Sequence, residues 1–249
     1  MSAFRLVAGP GGGYGNTVES FQVAVEAGAN TVEIDVIWRH DPRLPREQWG
    51  PLVVAHDRED AKQRSPLDLT VALDAFLRPP LLEMEVNLDI KLPGREEELI
   101  EALRERGLVD RAMISTLELQ SLRRVRELEP RLRRGWSYPK VSRDWSAIAW
   151  AKLPVLAALR IMRFRLPGLA AQRLPELGVD SMWVYHRLVT PPLCRICRLA
   201  KVELVAWKPD ELTRMRELLE AGVTGICSSN PHLFARLPES GSRSPASGG

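Results

Sequence analysis

Short apolar runs alternate with longer amphipathic ones along almost the whole chain, and this alternation restricts the fold more than any single motif. The short runs are Phe4–Ala8, Gly28–Val36, Leu52–Ala55, Met84–Lys91, Ala112–Ser115, Leu132–Trp136, Met182–Tyr185, Val202–Trp207 and Gly225–Ser228. Helical patterns stand between them at Thr17–Ala27, Thr70–Leu77, Arg95–Arg106, Leu117–Leu128, Pro191–Ala200 and Pro209–Ala221. Gly28 follows the first helix as a C-terminal glycine does, and Pro79-Pro80 stops the second. Strands separated by helices pair in parallel, because a parallel return needs a crossover of a dozen or so residues. About eight such units in 249 residues fit an α/β fold closed as a (β/α)8 TIM barrel better than an open doubly wound sheet. No Gly-x-Gly-x-x-Gly opens a helix to support a dinucleotide fold. The expected organisation is one barrel domain over residues 1–238, with a Ser/Gly-rich, disordered tail over 239–249.

Composition narrows the function classes. Hydrophobic residues make up 45% and charged residues 27%, the balance of a soluble globular protein. A net charge of +3, with no stripe of aromatic and basic residues, argues against nucleic acid and leans toward small acidic ligands. Three cysteines exclude a disulfide framework. Cys194 and Cys197 form a Cys-x-x-Cys inside a helical pattern; two ordinary helix cysteines are the preferred reading, and a redox pair is the other. The N-terminus does not read as a signal peptide, and no apolar run approaches the roughly 20 residues that span a bilayer, so the expected location is cytoplasmic. The basic apolar run Leu153–Pro167 reads as a helix covering the barrel, with a membrane-surface helix and peripheral membrane contact as the alternative.

Two strands carry the chemistry. In Gly28–Val36, Val32, Ile34 and Val36 point one way while Glu33 and Asp35 point the other. In Met84–Lys91, Asn87, Asp89 and Lys91 likewise share a polar face. Adjacent carboxylates repel and resist burial unless a positive charge sits between them. One wet face of an antiparallel sheet would also explain the pattern. In a barrel, however, inward residues near the strand ends converge on one mouth. There Glu33, Asp35 and Asp89 suit Mg²⁺ or Ca²⁺ better than zinc. Lys91 supplies a fixed positive charge, and His56, after the run Leu52–Ala55, supplies a proton-transfer group near neutral pH. A structural ion-pair network inside the barrel remains the other reading. The turn Gly9–Gly13 permits close approach of a ligand, a phosphate included.

The ordered set of segments resembles the glycerophosphodiester phosphodiesterase family. It comprises Asn16–Phe21, Gly28–Val36, Val53–Asp57, Asn87–Lys91, Ile114–Thr116, Val205–Trp207 and Gly222–Pro231, spread over nearly the whole barrel. The resemblance implies a TIM barrel that hydrolyses glycerophosphodiesters, small-molecule substrates, to an alcohol and glycerol phosphate with a divalent cation. Glu33, Asp35 and Asp89 would hold the cation, His56 would be the general acid or base, and Lys91 would bear on the phosphate charge. Lys91 and Trp207 are the expected substrate contacts. The pattern departs at the first strand. Gly9-Pro10-Gly11 stands where the family has His-Arg-Gly, and Gly15 stands at the family's glutamate. His40, Tyr14 or His186 could replace the second histidine. Otherwise the enzyme is slowed or altered, or the barrel is inactive and binds a phosphodiester or metal as a sensor or interaction module.

Overall fold

The computed structural model describes residues 4–9, 15–38, 45, 48–139 and 152–237. Its first half comprises β1 (Arg5–Ala8), α1 (Val18–Glu26), β2 (Thr31–Ile37), β3 (Val53–Val54), α2 (Arg58–Gln63), β4 (Leu67–Asp68), α3 (Leu69–Asp74), β5 (Glu85–Ile90) and α4 (Glu96–Glu105). The second comprises β6 (Ala112–Thr116), α5 (Leu119–Leu128), β7 (Arg133–Tyr138), α6 (Lys152–Leu177), β8 (Ser181–Tyr185), α7 (Pro191–Leu199), β9 (Glu203–Trp207), α8 (Leu212–Glu220) and β10 (Gly225–Ser228). The ring order is β1, β2, β5, β6, β7, β8, β9, β10, all parallel, and β10 pairs with β1 to close it. This is the expected (β/α)8 barrel.

The run Leu52–Ala55 has a different place from the one its apolar character suggests. Its core, β3, pairs antiparallel with the end of β2 and with β4, so it is a flap beside the ring. An antiparallel neighbour needs no helical crossover, and no helix is described between β2 and β3.

The two strand faces separate as the alternation requires. Val32, Ile34, Val36, Val86, Leu88, Ile90, Ile114, Met182, Leu204 and Ile226 pack outward against the helices. Val7, Met113, Trp183, Val205 and Cys227 form a second, inner cluster within the ring. Gly135 is required there: a Cβ would lie 2.5 Å from Trp183 Nε1. The N-terminal end of the barrel is closed by charge. Arg5 bridges Glu85 and Glu203, with its Nε 2.7 Å from Glu203, and Arg133 lies 2.9 Å from Glu85.

Local signals start the helices. Thr17 caps α1 reciprocally with Ser20, and Thr190 caps α7 ahead of Pro191. On α7, Cys194 and Cys197 are buried free thiols, and burial pushes Cys197 up to about 12. That protonation suits packing, not redox exchange. Among the described residues, no helix is long and apolar enough to cross a membrane. The tail 239–249 lies outside the described residues, as do Pro10–Tyr14, His40, Trp145 and Trp150.

Candidate metal centre

Parallel register places Asp35 of β2 beside Asp89 of β5, with Glu33 one pleat earlier on the same inward face. Ligand oxygens of Glu33, Asp35 and Asp89 lie within 4.8 Å of one another. Lys91, just past β5, places Nζ 2.6 Å from Asp35 Oδ1 and also bonds Asp89 Oδ2. His56 Nδ1 lies 3.1 Å from Asp35 Oδ2. The flap thus brings His56 to the mouth from outside the ring, and it meets the residues of β2 and β5.

Asp35 and Glu33 are shifted in opposite directions. Burial pushes Asp35 upward, but the Lys91 charge and the His56 hydrogen bond reverse this and hold it well below the usual carboxylate range. Burial also pushes Glu33 upward, and there the charges of Asp35 and Asp89 add to it, so Glu33 stands at about 7. Its bond from Cys227 Sγ, at 2.9 Å, offsets little. Lys91 loses by burial and gains more from the charges of Asp89, Asp35 and Glu33, so it stays protonated. The hydrogen bond to Asp35 raises His56 above its ordinary value.

Three carboxyls face one lysine, and burial beside Asp35 and Asp89 leaves Glu33 short of compensating charge. Oxygen donors in that state fit a hard divalent cation. The donor set contains neither the sulfur nor the nitrogen cluster that zinc prefers.

Several supporting residues escape a motif reading. Asn16 clamps Asp35 at two points: Nδ2 donates to Oδ2 at 3.1 Å, and the Asp35 backbone N–H donates to Oδ1 at 3.0 Å. Its φ of +64° falls in the left-handed region, which asparagine tolerates better than most residues. Ser115 donates to Asp89 at 2.8 Å and accepts from Asn87 Nδ2 at 2.9 Å. The flap helix α2 fixes His56 from behind. The His56 backbone N–H donates to Asp60 Oδ2 at 2.9 Å, Arg64 binds Asp60 through two nitrogens at 2.6 and 2.8 Å, and Arg64 Nη1 donates to the Gly15 carbonyl at 3.2 Å. Since Gly15 precedes Asn16, these bonds form a closed ring: Asn16, Asp35, His56, Asp60, Arg64, Gly15. Ser115 lies on a strand whose parity with Met113 would place it inward; nothing in the local sequence points to Arg64. Asp57, next to His56, caps α2 by accepting from the backbone N–H of Glu59 and Asp60.

Across the mouth, Trp207 at the end of β9 stacks at 5.3 Å, tilted 44°, on Tyr185 at the end of β8. His186 follows, 4.9 Å from the Tyr185 ring. Its Nδ1 accepts a hydrogen bond from Arg214 Nε at 3.3 Å, which places the neutral ring's proton on Nε2. Burial and the charges of Arg214 and Arg187 push His186 down to about 4. A ring so held is a poor proton acceptor near neutrality. Of the other two candidate replacements, Tyr14 and His40 lie outside the described residues. Gly9 follows β1 beside the site; a Cβ there would lie 3.0 Å from Cys227 Sγ and 3.1 Å from Glu33 Oε2.

No family model matches the chain. It is 27% identical to a glycerophosphodiester phosphodiesterase of Caldanaerobacter subterraneus subsp. tengcongensis, over 91% of this chain and 93% of that protein. The chain is thus similar to a glycerophosphodiester phosphodiesterase along nearly its full length. In fold, the chain matches the crystal structure of a glycerophosphodiester phosphodiesterase from Parabacteroides distasonis with a TM-score of 0.67 at 16% identity, covering 93% of this chain and 97% of that one. It also matches an Oleispira antarctica phosphodiesterase, solved with the product sn-glycerol-3-phosphate, with a TM-score of 0.66 at 18% identity over 93% and 95% of the two chains.

Proposed function

We propose that this protein hydrolyses glycerophosphodiesters to an alcohol and glycerol phosphate, at a rate limited by a single imidazole. The observation that carries the reading is the meeting of Glu33, Asp35, Asp89, Lys91 and His56 at one barrel mouth. The relative from Caldanaerobacter, which aligns along nearly the full length, supports it. Glu33, Asp35 and Asp89 would hold Mg²⁺ or Ca²⁺. A bound divalent cation supplies Lewis-acid polarisation of a phosphoryl oxygen and neutralises phosphate charge.

The chain's own residues do the rest. Lys91, held protonated, bears on the phosphate oxygens as negative charge develops. His56 binds Asp35 through Nδ1, which leaves Nε2 to carry the transferable proton. As the bond from phosphorus to the leaving oxygen breaks, Nε2 gives that oxygen its proton, while the attacking water loses its own to solvent. The His56 side chain is 60% exposed, so it recovers its proton directly from water. The Tyr185–Trp207 pair contacts the substrate on the opposite wall. Among the described residues no second imidazole bonds a cluster carboxylate, and the loss of one general acid or base typically costs 10²–10⁴ in rate. Slow turnover is the consequence.

The test is release of glycerol phosphate from glycerophosphocholine, with Mg²⁺ or Ca²⁺ and with EDTA. Activity should vanish with EDTA, and His56→Ala should lower kcat by roughly 10²–10⁴ with cation binding retained. Cation binding without turnover over a broad diester panel would make the barrel a binding module. Cation binding undiminished in Asp35→Asn would remove the assigned ligand set.

A further inference from the structure

Helix α6 has 26 residues, about 39 Å at 1.5 Å per residue, whereas α4 and α5 have 10 and α7 has 9. Its C-terminal half is buried against the barrel, whereas the described part of its N-terminal half touches the core through the partly buried Leu159 and Met162 and is otherwise exposed. Leu166, Ala170, Leu174 and Leu177 are buried in the C-terminal half, and Gly178 then turns the chain toward the base of β8. The level of the mouth is marked by Arg163, whose Nη1 donates to the carbonyl of Arg187 at 3.4 Å, two residues past the end of β8. Since α6 runs antiparallel to the strands, the turns before Arg163 stand at and beyond the rim. Pro167 separates the halves, for it lacks the N–H that would bond the Arg163 carbonyl.

The projecting half is apolar where a soluble helix is polar. Phe164 is 86% exposed, Ile161 58% and Leu156 55%. At 100° per residue, Leu156, Ala157, Arg160, Ile161 and Phe164 share the outer arc, opposite Leu159, Met162 and Leu166. Arg163 and Arg165, also exposed, flank that arc. From residue 145 to residue 175 the sequence holds no Asp or Glu, against Lys152, Arg160, Arg163, Arg165 and Arg173.

We infer that the N-terminal half of α6 docks the barrel mouth onto an anionic lipid surface. Aliphatic and aromatic side chains set between arginines match the two components of interfacial binding, apolar insertion and attraction to acidic headgroups. A second copy of this chain would oppose the same arginines to themselves across a two-fold axis. The inference goes beyond hydrolysis and is read without turnover.

The purified protein, in EDTA, is floated with vesicles of phosphatidylcholine or of equal parts phosphatidylcholine and phosphatidylglycerol. It should bind the mixed vesicles, and high salt should weaken that binding. The triple variant Leu156→Ser, Ile161→Ser, Phe164→Ser should bind at least about tenfold more weakly, with its thermal transition unmoved because these side chains are exposed. A second triple variant, Arg160→Gln, Arg163→Gln, Arg165→Gln, should lose the preference for phosphatidylglycerol. Absence of vesicle binding, equal binding by both triple variants and the wild type, or self-association through the patch without lipid binding overturns the inference.

Discussion

Asp35 accepts from three side chains at once, the ammonium of Lys91, the imidazole of His56 and the amide of Asn16, while its own N–H is held by Asn16. A buried carboxylate so satisfied is fixed in place, and it fixes His56 in turn. The remaining orientation of His56 comes from α2, through Asp60 and Arg64. Arg64 touches no part of the carboxylate cluster in the bonds described, so it is a positioning residue. Arg64→Ala should lower kcat by roughly tenfold to a hundredfold through a misplaced imidazole, with KM and cation affinity little changed. Arg64→Lys should recover only part of this, because a lysine cannot make the two-nitrogen grip on Asp60. Steady-state kinetics on both variants check it. A raised KM with kcat intact would make Arg64 a substrate contact instead.

At the scale of elements, α6 gives one helix two kinds of surface. Leu174→Ala, in the half against the barrel where Leu174 is 2% exposed, should cost about 2–5 kcal/mol. Phe164→Ala, in the projecting half, should stay within about 0.5 kcal/mol of wild type. Urea unfolding of the two variants decides, and equal costs would mean that the halves are not distinct. The sequence pattern shows a helix here but not which half is covered, because Leu and Met occur on both sides of it. The inward faces of β2 and β5 were legible for the opposite reason: strict alternation separates Glu33, Asp35 and Asp89 from the apolar set. The flap was misplaced because Val53 and Val54 read like any buried strand, and only pairing distinguishes ring from edge. The contribution of Asn16 depends on a side-chain clamp and a positive φ that no spacing rule reveals.

Over the whole molecule, the barrel ends divide the work. The mouth gathers uncompensated negative charge, while the base is neutralised by the Arg5, Glu85, Glu203 and Arg133 network. Conserving stability at the base leaves the mouth free for chemistry. Arg5→Met should therefore cost about 2–3 kcal/mol, less than breaking a fully buried pair since Glu85 and Glu203 are partly exposed, and should leave kcat unchanged. Burial pushes Glu85 upward, but hydrogen bonds from Arg5 and Arg133 hold it below its ordinary 4.5. A depressed carboxyl stabilises the fold above its unfolded value, and that stability is lost as pH falls through the folded value. Acid unfolding of Arg5→Met should show a shallower loss over that window than wild type; an unchanged pH slope would take Arg5 out of the account. Gly9 bears on what the mouth has room for. A side chain at that position needs the room that Cys227 and Glu33 now fill, with contacts of 3.0 and 3.1 Å. A Gly9→His substitution therefore requires Cys227 or Glu33 to give by a few tenths of an ångström. Positions 9 and 227 are thereby coupled through space, so the cost of a side chain at one is set by the size of the side chain at the other.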